Sequence, residues 1–295
     1  MSGWDDMRVF LAVARTESLS RAAPVLRMDA ATVGRRIARL EEGLGAALFV
    51  KSPQGYALTD LGMRMREHAE QAEAALLRAN EEVRGDQGEL SGQIRIGAPD
   101  GAANYLLPQV CAAIRKENPD LEIQILALPR VVNLSKREAD MAITVSPPQA
   151  GRLSVKKVSD YKLHLSARSE VADLITKRAD LIGHPMVGYI PDMIFDKELD
   201  YLGELAAGGV QQASNSVAVQ VASLRAGAGI GIVHDFSLPF APELQRVLID
   251  EVSLVRSFYL VRHQSDLTSD RLNRFAGLLS THIHAEIVRL EGLVA

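Results

Sequence analysis

The stretch from Asp29 to Gly45 constrains this chain more than any other. Asp29 stands where an N-cap belongs, since its carboxylate can satisfy the free amides of a first helical turn. Val33, Ile37, Leu40 and Leu44 then recur at helical steps, which describes one apolar stripe facing a core. The opposite face carries Ala31 and Thr32 first and Arg35, Arg36 and Arg39 behind them. A recognition helix needs this order: small residues let its first turns enter a DNA major groove, and cations further along reach phosphates or guanine edges. Taken alone, a cationic helix face is more often simply solvated. The neighbouring segments decide between these readings.

Before this helix, Met7, Phe10, Leu11 and Ala14 fall at helical spacing from Trp4 to Arg15. Ser18 or Ser20 can cap a second helix through Leu26, which Pro24 keeps short. After it, Leu48 to Lys51 and Tyr56 to Leu58 read as two short strands around Ser52-Pro53-Gln54-Gly55. Helix, turn, helix and hairpin in that order predict a winged helix-turn-helix over residues 1–58. The expected DNA contacts are Ser20, Ala30, Ala31, Thr32, Arg35, Arg36 and Arg39, with Lys51 and Ser52 on the wing. The formal net charge of the chain is −4, yet residues 1–58 are net positive, so the acidity lies elsewhere.

The runs Ser18-Leu19-Ser20-Arg21-Ala22-Ala23, Ala31-Thr32-Val33-Gly34-Arg35-Arg36-Ile37-Ala38-Arg39-Leu40-Glu41-Glu42-Gly43-Leu44-Gly45 and Leu48-Phe49 closely resemble the DNA-binding end of LysR-type transcriptional regulators. The likeness continues through Tyr56-Ala57-Leu58-Thr59-Asp60-Leu61-Gly62. The chain departs from the family at Ala30, where a polar residue such as glutamine is common, at Gly34, where serine is usual, and at Pro24, which replaces a helix former.

Thr59 can cap a long helix to about Val83, in which Met65, Ala69, Ala72, Leu76, Ala79 and Val83 alternate steps of four and three. Such a seam suits either a partner helix or the helix's own domain. The resemblance favours pairing, and it implies a homodimer or homotetramer. Residues 59–88 are therefore expected to be a linker and dimerisation helix, with a hinge at Arg84-Gly85-Asp86-Gln87-Gly88. Two winged heads held by a dimer read two half-sites, so an interrupted palindrome in double-stranded DNA is the expected target.

Beyond Leu90 the pattern changes to short strands alternating with helices. Ile94 and Ile96, then Leu121, Ile123 and Ile125, alternate as strands do, and Leu107, Val110, Cys111 and Ile114 form a helix face between them. Strands follow at Met141 to Val145, Leu163 to Leu165, Met186 to Tyr189 and Gly229 to Val233. A helix carries Val217, Val221 and Leu224, and a closing helix runs through Leu272, Phe275, Leu279, Ile283, Ile287 and Leu290. This rhythm predicts an α/β unit with a mostly parallel sheet.

Glu138-Ala139-Asp140-Met141-Ala142-Ile143 and Arg225-Ala226-Gly227-Ala228-Gly229-Ile230-Gly231-Ile232 resemble the LysR-type effector-binding domain, which is similar to a two-lobed periplasmic binding protein. The resemblance implies an effector domain over residues 89–295, with one lobe of 89–162 and 263–295 and the other of 163–262. It also implies a small-molecule effector in the cleft and RNA polymerase as a further partner. Ligands in such folds bind where strand ends meet helix starts. By position the cleft includes Asp100, Gly101, Pro129, Arg130, Thr144, Ser146, Tyr189, Asn215 and Ser216. Asp100 stands where many relatives have serine or threonine, and a fixed carboxylate there repels a carboxylate ligand. Facing Arg130, it would complement a zwitterion or an amine; alternatively, Asp100 simply caps the helix that follows it.

Other patterns yield no chemistry. Gly227, Gly229 and Gly231 lack the spacing of a dinucleotide fingerprint and read as a helix-to-strand turn. His282, His284 and Glu286 would face different ways on a helix, so no metal site is assigned. Ser159 and Lys162 lack the companion motifs of an acyl-transfer enzyme. Cys111 lies on an apolar helix face, where a thiol is a small hydrophobe. No cofactor and no catalytic residue are therefore expected. The chain shows no secretory signal order and no uninterrupted apolar run of membrane length, so the expectation is a cytoplasmic protein without a membrane segment. Two function classes remain: a ligand-controlled transcription regulator, or an α/β binding protein or enzyme whose N-terminal domain makes protein contacts.

Overall fold

In the computed structural model, residues 3–52, 55–83, 90–127, 134, 138–149, 151–206 and 208–294 are described. The chain divides into two compact units: residues 1–88 with 135–138 and 264–273, and the remainder of the chain.

The first unit opens with α1 (Trp4–Thr16), α2 (Leu19–Leu26) and α3 (Ala30–Leu44), followed by the hairpin β1 (Phe49–Ser52) and β2 (Gly55–Leu58) and by α4 (Asp60–Val83). The caps lie where local chemistry places them. The Ser18 side chain accepts from the Arg21 amide, and Asp29 accepts from the Thr32 amide at 2.8 Å. α3 ends at Gly45 in the left-handed conformation. Pro24 sits inside α2, a helix of 8 residues, where it has no amide to donate to the Ser20 carbonyl. Phe10, Leu11, Val33, Ile37, Leu40, Leu48 and Phe49 form one core, against which Met65 and Ala69 of α4 also pack.

Two glycines mark close approaches in this unit. A Cβ on Gly55, which has a φ of 131°, would lie 2.2 Å from the Glu17 carbonyl, while the Tyr56 amide donates to that same oxygen at 2.9 Å. A Cβ on Gly62 would lie 2.1 Å from the Leu48 carbonyl, so the start of α4 can press directly on the base of the wing. Thr59 reinforces the joint: its hydroxyl donates to the Ala47 carbonyl and accepts from the Gly62 amide, both at 2.9 Å.

The second unit contains β3 (Gly92–Ala98), α5 (Asp100–Tyr105), α6 (Leu107–Glu117), β4 (Leu121–Ala127), β5 (Met141–Thr144) and β6 (Leu153–Arg168). It continues with α7 (Ser169–Ala172), β7 (Val187–Gly188), β8 (Gln212–Ala213), α8 (Val217–Arg225), β9 (Gly231–His234), β10 (Leu244–Arg246), β11 (Ser253–His263) and, from Arg274 on, α9 (Asp270–Gly292). One seven-stranded sheet has the order β10-β6-β11-β5-β3-β4, with β9 also paired to β6.

The expectation of a mostly parallel sheet is corrected here. β3 pairs parallel with β4 and β5, but β11 runs antiparallel to β5 and β6, and β6 runs antiparallel to β9 and β10. The reason is the pair of long crossing strands. β6 and β11 each run through both halves of the unit, and in opposite directions, so every strand they meet reads against them. The βαβ rhythm is real, but within this sheet the parallel pairing is confined to β3 with β4 and β5; elsewhere β7 pairs parallel with β8, and Met186 bridges Ile230 in the same sense.

Gly227 to Gly231 form the helix-to-strand turn expected of them. Gly229 has a φ of 143°, and a Cβ there would lie 2.0 Å from the Pro185 carbonyl. α9 buries Leu272, Phe275, Leu279, Ile283, Ile287 and Leu290, the stripe read from the sequence. Among the described residues, no helix is long and apolar enough to cross a membrane.

Candidate nucleic-acid interface and interlobe cleft

The exposed face of α3 is organised from its cap. Asp29 accepts from both the Thr32 amide and the Thr32 hydroxyl at 2.8 Å, and Thr32 Oγ1 in turn accepts from Arg35 Nη2 at 2.7 Å. These bonds hold the Asp29 carboxyl below the usual carboxylate range, the Thr32 hydroxyl contributing most. Ala31, Arg35 and Arg39 are exposed on this face, and Ser20 and Lys51 are exposed on α2 and the wing. Ala31 in the first turn of α3 and the two arginines behind it thus share one exposed face.

Three expected contacts stand differently. Ala30 is half-buried against the core of the unit, so its methyl is turned largely inward. Arg36 lies toward α1, its guanidinium 3.9 Å from the Asp6 carboxylate, and both side chains are half-buried. Ser52 belongs to β1, and its side chain is outside the described set. The departure at Gly34 has a packing reason: a Cβ there would meet Leu19 Cδ1 at 3.2 Å, so glycine lets α2 and α3 approach closely.

Sequence reasoning missed how the recognition helix is tied to the wing. Glu41 Oε1 accepts from the Leu48 and Phe49 amides at 2.7 and 3.0 Å, fixing β1 to the C-terminal half of α3. An acidic residue eight positions before a strand carries no recognisable local signal.

In the second unit, the residues expected to line a cleft fall on both sides of the crossing strands. Asp100 and Gly101 open α5, Thr144 ends β5 and Ser146 lies two residues beyond it, Tyr189 follows β7, and Asn215 and Ser216 precede α8. Pro129 and Arg130 lie outside the described residues.

Asp100 does not cap its own helix. Its Oδ2 accepts from Ser216 Oγ at 3.0 Å and from the Ala218 amide at 3.1 Å, in the first turn of α8, while Oδ1 accepts from Asn104 at 3.0 Å. The Ser146 hydroxyl donates to the Asp196 carboxylate, and the Thr144 hydroxyl donates to the Ser146 carbonyl at 2.7 Å. Beside Gly101 stands His234, whose Cε1 would lie 2.9 Å from a Cβ at that glycine. His234 is fully enclosed among Tyr161, Tyr201 and Phe236, and burial lowers its pKa to about 3. Tyr189 packs edge-on against Tyr201 with ring centroids 5.8 Å apart. This buried histidine and its aromatic shell were not expected from the sequence, because its partners come from four separate segments.

His284 Nδ1 lies 3.0 Å from Ser159 Oγ, whereas His282 Nδ1 meets its own helix at the Leu278 carbonyl, so the two rings have different partners. Burial pushes the Cys111 thiol up to about 12.

A winged helix-turn-helix with an exposed Ala31, Arg35 and Arg39 face, carried in one chain with a two-lobed α/β unit, defines a DNA-binding regulator with a ligand-binding domain. The comparisons agree. The family described as bacterial regulatory helix-turn-helix protein, lysR family, matches residues 4–63, and the LysR substrate binding domain matches residues 87–283. The chain belongs to the LysR family of transcriptional regulators.

It is 26% identical over 235 residues to the HTH-type transcriptional regulator PtxR of Pseudomonas aeruginosa, covering 77% of this chain and 75% of that protein. It is 34% identical over 147 residues to BbuR of Bordetella bronchiseptica, where the aligned part spans 49% of this chain and 45% of the relative. Among solved structures, a full-length OxyR variant from Pseudomonas aeruginosa superposes with a TM-score of 0.68 at 16% identity, covering 96% of this chain and 95% of that one. ArgP from Mycobacterium tuberculosis superposes with a TM-score of 0.67 at 17% identity, covering 96% and 97%. The matched relatives are named as transcriptional regulators, and the chain is a regulator, not an enzyme.

Proposed function

We propose that this regulator reads an interrupted palindrome as a homodimer, with α3 of each copy in a major groove and Lys51 on the wing beside the backbone. The observation that carries this reading is the chain of bonds from Asp29 through Thr32 to Arg35, which holds a cation at the exposed start of α3. Ala31 and Arg39 extend that face, and Ser20 flanks it. Arg36, turned toward Asp6, serves the packing of α3 on α1 more than base reading.

Residues 1–58 form the DNA-binding domain, residues 59–88 the linker, and residues 89–295 the effector domain, whose lobes are 89–162 with 263–295 and 163–262. Pairing through α4 is supported by the split fate of its apolar seam. Met65 and Ala69 pack into the winged head, while Ala72, Leu76 and Ala79, further along, are exposed. An exposed line of small and apolar residues on a long charged helix suits a second copy. Pairs of dimers would give the homotetramer.

The effector, a small molecule, binds between the lobes at Asp100, Gly101, Thr144, Ser146, Tyr189, Asn215 and Ser216, and it acts by shifting lobe geometry and so the placement of the heads on DNA. The protein works in the cytoplasm, where its operator is. A gel shift on the DNA upstream of its own gene tests the reading: affinity that falls steeply with salt supports phosphate contacts, and salt-independent binding or none supports a protein-contact role for the first domain.

A further inference from the structure

A two-lobed binding domain normally closes around a guest that bridges its halves, and a free helix N-terminus is where the guest's negative charge is met. Here that position is filled from within the chain. α8 is nine residues long and has no acidic residue in its first turn. Its cap, Ser216, accepts from the Val219 amide at 3.3 Å, and the Ala218 amide is taken by Asp100 Oδ2 at 3.1 Å. The same oxygen accepts from the Ser216 hydroxyl, and Asn104 steadies Oδ1, so the carboxylate is aimed across the cleft and not along α5. Ser146 and Asp196 make a second stitch between the end of β5 and the segment after β7. At Gly101 the backbone of α5 comes so near His234 that a methyl group would not fit.

We propose that Asp100 is a specificity-determining residue: a tethered carboxylate that occupies the anion position at the start of α8 and closes the cleft without an effector. The proposal rests on the reading of this cleft as the effector site. A tethered group competes at a high effective concentration, so a free carboxylate in solution is excluded from α8. The effector then engages the cleft through neutral or cationic groups.

Amide hydrogen exchange on the full-length protein tests this, with acetate as the probe. In the wild type the Ala218 amide is protected and acetate changes nothing. In Asp100→Ala its exchange accelerates by about tenfold or more, while Ile94 and Ile96 in β3 keep their protection, and acetate, unlike chloride, restores it. Unchanged exchange at Ala218 in this variant, or acceleration that acetate does not reverse, overturns the proposal. Asp100→Asn, which keeps the shape and loses the charge, is expected to exchange at an intermediate rate; wild-type protection there overturns it as well, and this variant decides the matter if Asp100→Ala does not fold. Acetate rescue in Asp100→Ala without any change in DNA affinity would leave the role of Asp100 standing and overturn instead the reading of the cleft as the regulatory site.

Discussion

Arg15 on α1 grips Glu73 on α4 through two hydrogen bonds, from Nη1 at 3.1 Å and Nη2 at 2.5 Å, with only 15% and 21% of the two side chains exposed. The winged head and the first half of the linker helix are thereby one mechanical piece. In the proposed dimer, an orientation imposed on α4 by a partner copy would pass to α3 through this fork, the Gly62 contact and the Thr59 bonds.

Glu73→Ala should therefore loosen the head from the linker. Because the pair is neither fully buried nor fully exposed, the expected loss of stability is about 1–3 kcal/mol, between the ranges for surface and buried ion pairs. Chemical denaturation followed by circular dichroism measures it. DNA affinity should fall by more than the stability loss explains, since two half-sites must be met at a fixed spacing.

Gly62→Ala should damage the same joint by crowding. A methyl group would meet the Leu48 carbonyl at 2.1 Å, and that backbone oxygen already accepts from the Thr59 amide at 2.9 Å. Overpacking of this kind costs about 1–3 kcal/mol. Thermal unfolding should show the drop, whereas Gly43→Ala, where a Cβ meets nothing, should leave stability unchanged or raise it slightly.

Arg35→Ala should weaken DNA binding without unfolding the head, because the guanidinium is exposed and donates to the Thr32 hydroxyl. If it meets a phosphate, the slope of log affinity against log salt should shrink by about 1. Arg36→Ala should alter the slope less and stability more, since Arg36 lies by Asp6. Titrations at several salt concentrations separate the two.

His234 gives the α/β unit a definite acid sensitivity. Its pKa is lowered to about 3 by burial, whereas in the unfolded chain it returns to about 6.5. Below the unfolded value the unfolded chain takes up a proton that the folded one refuses, so stability is full above about pH 6.5 and declines as the pH falls toward about 3. Urea midpoints measured across that window should fall for the wild type and fall less for His234→Phe. Equal slopes for the two would remove His234 as the cause.

Much of this was legible in the sequence because the signals were local. Ser18, Asp29 and Gly45 bracket α2 and α3 by cap chemistry, and the stripe Val33, Ile37, Leu40 predicts which face of α3 is buried, whereas Leu44, expected as its last member, is 39% exposed at the helix end. What stayed hidden depends on partners far along the chain. The family resemblance implies lobe crossings near Lys162 and Arg262, where β6 and β11 run, but nothing local there announces that these two long strands are antiparallel and turn the sheet largely antiparallel. Ala30 and Arg36 share a helix with true surface residues, and only the placement of α1 and the core turns them away. Asp100 was legible as unusual, but not its partner: Ser216 lies 116 residues on, so its bond could not be read from either neighbourhood.

The central claim is that α3 of two paired copies reads DNA, and a footprint on the region upstream of the gene, taken across a salt series, tests it most directly. The account predicts two protected half-sites separated by whole turns of the duplex, with affinity falling linearly in log salt. A single unpaired half-site, or binding indifferent to salt, would contradict it.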